Sequence, residues 1–173
     1  MSLVNSTKLQ PVNRKWGQAA LACPLHVSLF FSHSRLRKIS LAEGSRFELF
    51  AFEMLGPLGI STIEKEFVTE WFASFLAKKH APFPIPLEAD LGPFTKKVLE
   101  SLKEIPMGET LSYRDVAEIL LHPKAARAVG NACKANPFPL VIPCHRVVQT
   151  GGKLGGFAYG QKIKRLLLDF ERK

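Results

Sequence analysis

The sequence predicts an α/β chain built in two parts, a strand-and-helix first half followed by a mostly helical second half. Three observations predict it. Before residue 60, "HVSLFFS" and "LRKISLA" alternate or run apolar as strands do. After it, apolar residues recur at helical spacing in segment after segment. Between the two lies "HAPFPIPLEADLGPF", whose Pro82, Pro84, Pro86 and Pro93 suit neither a helix interior nor a central strand. That linker sets the expected boundary, with one unit over 1–88 and another over 89–173.

The elements follow in chain order. The polar "HSR" joins the first two strands as a hairpin, and "RFELFAFEML" reads as strand or short helix. Ser61 stands three residues before Glu64, a capping box that opens a helix. Ile63, Phe67, Val68, Trp71, Phe72, Phe75 and Leu76 form its wide apolar stripe, expected in the core. Pro93 suits the first position of the next helix, with Phe94, Val98, Leu99, Leu102 and Ile105 facing inward and Pro106 ending it. Ser112 precedes Asp115 by three and caps a helix over Tyr113–Leu120. Pro123 is expected to open the alanine-rich helix of "LHPKAARAVGNACKAN". Two helices across a tight turn, the second with Lys124, Arg127 and Lys134, outline a helix-turn-helix.

Composition bounds the function. The chain has 173 residues, 46% of them hydrophobic and 23% charged, an ordinary globular balance. No run of 18 apolar residues occurs, so no membrane span is expected, and "WGQAALACPLHVSLFF" lacks a signal-peptide layout. Three cysteines without framework spacing suggest reduced thiols in a cytoplasm, or a nucleus in a eukaryote. The net charge of +9 is concentrated in the second half, and no acidic residue lies between Glu118 and Asp169. A one-sign field of that length points to a polyanion, nucleic acid first.

The chemistry converges on "NPFPLVIPCHRVVQTGG", residues 136–152. "PLVI" reads as a short strand stopped by Pro143, leaving Cys144 at an element end where it can face a cleft. A thiolate is the reactive form of cysteine, and His145 or the basic field would favour it. On the last helix, Ile163, Leu166, Leu167 and Phe170 form the buried stripe, and Glu171 lies beside it. A carboxylate there either orients His145 or frays into solvent at the chain end. Cys144 itself is either a nucleophile or an inert core thiol. Cys23, His26, His33 and His80 are too scattered for a zinc site, and no metal or cofactor is expected.

"GETLSYRDVA", "KAARAVGNACKANP" and "NPFPLVIPCHRVV", in that order, resemble the 6-O-alkylguanine-DNA alkyltransferases, the methylated-DNA–protein-cysteine methyltransferase family. The likeness runs from about Phe94 to Glu171. It implies a ribonuclease-H-like α/β domain followed by a mostly helical, winged helix-turn-helix-type DNA-binding and catalytic domain. It implies a monomeric DNA-repair methyltransferase that flips alkylated guanine out of double-stranded DNA. The alkyl group, mainly methyl, would pass irreversibly to Cys144, one reaction per molecule; alkylated thymine is a further candidate substrate.

By the same resemblance His145 and Glu171 draw off the thiol proton through a water, and Tyr113 stabilises guanine as leaving group. Arg127 fills the vacated base stack, with Lys124, Ala126, Asn131 and Lys134 on the DNA-binding face. Ala125, Ala126, Ala128 and Ala132 would let the helix approach a minor groove closely. Asn136 joins the recognition element to the active-site segment. Pro139, Val147, Phe157, Ala158 and Tyr159 belong to the pocket, with the carbonyls of Cys144 and Val147 accepting from the guanine amino group and the Ala158 N–H meeting its oxygen. Phe157 and Tyr159 depart from the tyrosine and glycine common in the family, and a tyrosine at 159 is expected to narrow the pocket. A DNA-binding module with a structural Cys144, and a cysteine hydrolase, are the competing function classes.

Overall fold

The computed structural model describes residues 10–11, 25–44, 50–55 and 61–172. Cys23 lies outside them. The first unit holds β2 (Leu25–Ser32), β3 (Arg35–Glu43), β4 (Phe50–Leu55) and α1 (Thr62–Leu76). β2 is central, antiparallel to β3 and parallel to β4. His33 and Ser34, at φ of 50° and 56°, make the two-residue hairpin loop whose twist matches that of the strands. "RFELFAFEML" resolves to strand over Phe50–Leu55.

Helix α1 starts at Ser61, where both halves of the capping box form. Val68, Trp71, Phe72 and Phe75 are buried, but Ile63, Phe67 and Leu76 are exposed, against the sequence expectation. At about 100° per residue Phe67 and Leu76 sit on the two flanks of the buried stripe, and Ile63 lies further round toward solvent. The linker packs back on this helix: Trp71 donates from Nε1 to Ala81 O at 2.9 Å and meets Phe83 edge to face. It then runs along β3, where Leu36 donates to Pro86 and accepts from Glu88. Strand β3 is the edge of its sheet, and this contact covers part of it.

The second unit comprises α2 (Pro93–Leu102), β5 (Glu109–Ser112), α3 (Tyr113–Ile119), α4 (Ala126–Lys134), a 3₁₀ turn at Cys144–Arg146, β6 (Val147–Val148) and α5 (Gly160–Glu171). β1 (Gln10–Pro11) pairs with Thr110 and Glu109 of β5, so this piece of the first 88 residues belongs to the second sheet. β6 runs parallel to β5 on its other side. Helix α4 begins at Ala126, three residues beyond Pro123, which lies in the turn. "PLVI" is turn and not strand, because Asn136 folds the segment back on itself.

Helix α3 ends in a Schellman pattern, with His122 donating to Ala117 O and Leu121 to Glu118 O. The residue that must turn left-handed is Leu121, at φ 61° and 86% exposed. Glycine takes that conformation without the clash of a Cβ. Leu121→Gly is therefore expected to stabilise the protein by about 1 kcal/mol or less, a rise of roughly 2–4 °C in Tm. A thermal melt checks this; no rise would mean the leucine side chain makes up for the strain.

Candidate active site

Cys144 sits on the one-turn 3₁₀ segment, only 5% exposed. The approach to it is shaped by Asn136. Its Oδ1 accepts from Phe138 N at 3.0 Å, and its Nδ2 donates to Ile142 O at 2.8 Å and to Cys144 Sγ at 3.1 Å. Leu140, buried at φ 73°, makes the tight return inside that loop. Burial pushes the Cys144 thiol pKa up, while the Asn136 hydrogen bond and the charge of Lys164 pull it back down.

His145 follows directly and is wholly buried. Its Nε2 lies 2.8 Å from Glu171 Oε1. The carboxylate can only accept, so Nε2 carries the proton and Nδ1 of a neutral ring holds a lone pair. Burial lowers the His145 pKa, which favours that neutral ring. Nδ1 is buried and has no hydrogen-bond partner among the described residues. Glu171 does not fray. It is 1% exposed, and Arg146 grips it with Nε and NH2, each at 2.8 Å. Burial alone would raise the Glu171 pKa; the charge and hydrogen bonds of His145 and Arg146 outweigh it, bringing it to about 2.

Sequence reasoning missed Arg146 and Lys164. Lys164 has no exposed surface and donates from Nζ to Val147 O at 2.6 Å and Gly156 O at 3.2 Å. Burial brings its pKa down to about 8, so it remains mostly charged at neutral pH. A signal was present: Lys164, Leu168 and Glu171 fall at i, i+4 and i+7, a stripe with charge at both ends on a buried face. Lys164→Met is expected to raise the Cys144 pKa further and slow its alkylation by iodoacetamide at neutral pH, on the order of three- to tenfold. Peptide-resolved mass spectrometry against pH reads this out. The difference should shrink above about pH 8, where the wild-type lysine loses its proton; a constant difference would mean Lys164 acts only through packing.

A cavity of about 460 Å³ opens onto the thiol, with Tyr113, Cys133, Lys134, Phe157 and Ala158 among its walls. Burial pushes the Tyr113 pKa up to about 12, so the phenol keeps its proton. Its hydroxyl makes only a long contact, 3.3 Å, to Gly156 O. Gly155, at φ 70°, has the Tyr113 ring and hydroxyl 3.0 Å from where a Cβ would stand, so only glycine fits there. Pro139 and Val147 are buried behind the segment, and the Val147 carbonyl already accepts from Lys164. Tyr159 is not among the cavity walls. Its ring packs on Phe157 and its hydroxyl donates to Ile39 O of β3 at 2.8 Å.

Beside the cavity runs the outer face of α4. Arg127, Asn131 and Lys134 are exposed along it at i, i+4 and i+7, with Lys124 exposed just before the helix. Val129, Ala132 and Cys133 form the opposite, buried face. Ala132 is therefore in the core and unavailable for close approach; Ala128 is exposed, and Ala125 and Ala126 are half-buried.

A basic helix thus lies beside a cavity that ends on a thiol, with an imidazole–carboxylate pair behind it, in a chain of mixed α/β fold. Residues 93–173 match the family described as 6-O-methylguanine DNA methyltransferase, DNA binding domain. The chain is 51% identical over 87 residues to a probable methylated-DNA–protein-cysteine methyltransferase of Acanthamoeba polyphaga mimivirus, covering 50% of this chain and 58% of that protein. It is 43% identical over 98 residues to the Methanosarcina acetivorans methylated-DNA–protein-cysteine methyltransferase, 57% of this chain and 63% of the other. Its fold resembles the crystal structure of Mycobacterium tuberculosis OGT in complex with DNA, at TM-score 0.64 and 29% identity, covering 85% of this chain and 92% of that one. Over residues 93–173 the chain belongs to the methylated-DNA–protein-cysteine methyltransferase family. Its matches to these two curated relatives span about three-fifths of their length.

Proposed function

We propose that the protein repairs duplex DNA by moving the alkyl group from O6 of guanine to Cys144, once per molecule. The observation that carries this is the buried thiol at the cavity, hydrogen-bonded by Asn136 and followed in sequence by the His145–Glu171 pair. The alkylated base edge lies inside the duplex, so the nucleotide must first be flipped, at a cost of about a few kcal/mol. Arg127, exposed on α4, offsets that cost by filling the gap in the stack. Lys124 and Lys134 bind phosphate.

The Cys144 proton passes through a bridging water to the lone pair of His145 Nδ1, and Glu171 and Arg146 hold the ring in the tautomer that can take it. The thiolate attacks the alkyl carbon in line, an S–C bond forms and the C–O bond breaks. The electron pair leaves on the guanine, where neutral Tyr113 donates a hydrogen bond to the developing charge. Lys164 supports the thiolate before attack. Among the described residues none is placed to cleave the thioether, so one turnover consumes the protein.

The finer architecture belongs to the same proposal. The β3–β2–β4 sheet with α1 is read as ribonuclease-H-like, and α3, α4 and the small β-sheet as a winged helix-turn-helix. The protein is read as a cytoplasmic or nuclear monomer, with alkylated thymine as a second candidate substrate.

Intact-mass measurement after incubation with duplex DNA carrying methylated guanine tests the reading. A stable one-methyl gain, mapped to Cys144 and stoichiometric at most, is expected. DNA binding without a mass change would make this a binding module, and turnover of an ester without DNA would make it a hydrolase.

A further inference from the structure

Strand β3 presents its outer edge to the second unit; Glu43 at its end pairs with Lys162 of α5, and one residue, Ile39, makes two backbone contacts to the site segments. Ile39 donates from its N–H to Pro137 O at 2.7 Å and accepts at its carbonyl from the Tyr159 hydroxyl at 2.8 Å. Pro137 follows Asn136, whose amide touches the Cys144 sulfur. Tyr159 follows Ala158, a wall of the cavity. A backbone position in the first unit thus holds both sides of the site in the second. Ile39 is itself wholly buried in the sheet, so it gives the two walls a rigid reference.

We propose that Tyr159 is a positioning residue that latches the pocket loop to the edge of the N-terminal sheet, and so limits the size of alkyl group the cavity admits. The proposal rests on the alkyl-transfer reading. The loop's other fastenings sit upstream of this one. Tyr113 and Lys164 reach Gly156 O at 3.3 and 3.2 Å, and Gln161 reaches Gly155 O at 3.1 Å. Tyr159 alone, among the described hydrogen bonds, ties residues 157–159 to an element outside the loop, and it does so at the shortest of these distances. Phe157 and Ala158 line the cavity, so their freedom to retreat from a large substituent depends on that tie. The tyrosine ring, meanwhile, packs on Phe157 at 5.7 Å and is not itself a cavity wall. Its effect on substrate size therefore runs through its hydroxyl.

Two variants separate this latch from simple bulk. Tyr159→Phe keeps the ring and deletes the hydroxyl; Tyr159→Gly deletes both. Transfer rates are measured for the methyl and the benzyl adduct of guanine in the same duplex, with hydrogen exchange of the amides of 157–160. Tyr159→Phe is expected to raise the benzyl-to-methyl ratio about two- to tenfold, the range given by losing one hydrogen bond, and to reproduce most of the change in Tyr159→Gly. Exchange at 157–160 should quicken while the buried amides of α2 stay unchanged. A Tyr159→Phe variant with the wild-type ratio and wild-type exchange overturns the latch, whatever the glycine variant does. Absence of transfer from either adduct in the wild type would instead overturn the alkyl-transfer reading, and the exchange measurement would still decide whether the loop is latched.

Discussion

Cys144→Ser is expected to fold, to bind duplex DNA like the wild type, and to take up no methyl group from it. The fold should survive because a serine hydroxyl occupies less space than the thiol and can still accept from Asn136 Nδ2, now 3.1 Å from sulfur. DNA binding should survive because Lys124, Arg127 and Asn131 are exposed away from the thiol, and Lys134, at the cavity rim, keeps its side chain in the variant. Transfer should vanish because a hydroxyl is far less acidic than a thiol and a poorer nucleophile toward carbon. Intact mass and peptide mapping of the variant after incubation with methylated duplex decide it. A one-methyl gain on the introduced serine would mean that sulfur is dispensable. A gain on Cys133, which lines the same cavity, would move the acceptor to that thiol.

The second large effect is on stability. Glu171→Ala is expected to cost about 3–5 kcal/mol, the range for breaking a buried ion pair from one side, and on the order of 10 °C in Tm. The cost arises from the partners left behind. Arg146, 5% exposed, would lose the carboxylate that takes its Nε and NH2, and His145 would lose the acceptor for Nε2. Glu171→Gln keeps the shape but still strands the guanidinium charge. The pH dependence has a definite sign. The folded carboxyl titrates at about 2, below its ordinary value of 4.5, so its contribution is complete above about pH 4.5 and is lost as pH falls toward 2. Urea unfolding at several acidic pH values checks both claims. Wild type should weaken more steeply than Glu171→Gln over that window; parallel curves would mean that the carboxylate is no anchor.

Legibility in the sequence follows the range of the interaction. Local rules read well: both capping boxes form, Pro93 opens its helix, and the hairpin falls between the two strands named for it. Periodicity reads less well where an element has only one packed side, as in α1, where a stripe drawn wide enough to include Ile63 and Phe67 runs past the packed face and both meet solvent. "PLVI" fails for a different reason. Its apolar, β-branched character is real, but the Asn136 side chain bonds Ile142 O within the segment and Phe138 N and Cys144 Sγ on either side of it, which overrides strand propensity, and no pattern in the four residues themselves encodes that. The site shows the same gradient. Cys144 and His145 are neighbours in sequence, whereas Lys164 reaches the site because the fold brings a helix from twenty residues downstream beneath it. Tyr159 is misplaced by sequence reasoning because its partner, Ile39, lies 120 positions away.

The pairing of Gln10–Pro11 with β5 has a bearing on how the chain can be taken apart. Cut free at the linker, the second half would carry an open strand edge at Glu109–Thr110, and Pro137 O and the Tyr159 hydroxyl would face water where Ile39 had been. Bare edges of that kind recruit other chains. The second half is thus a dependent tenant of the whole molecule: its compactness is supplied partly by residues that never touch Cys144.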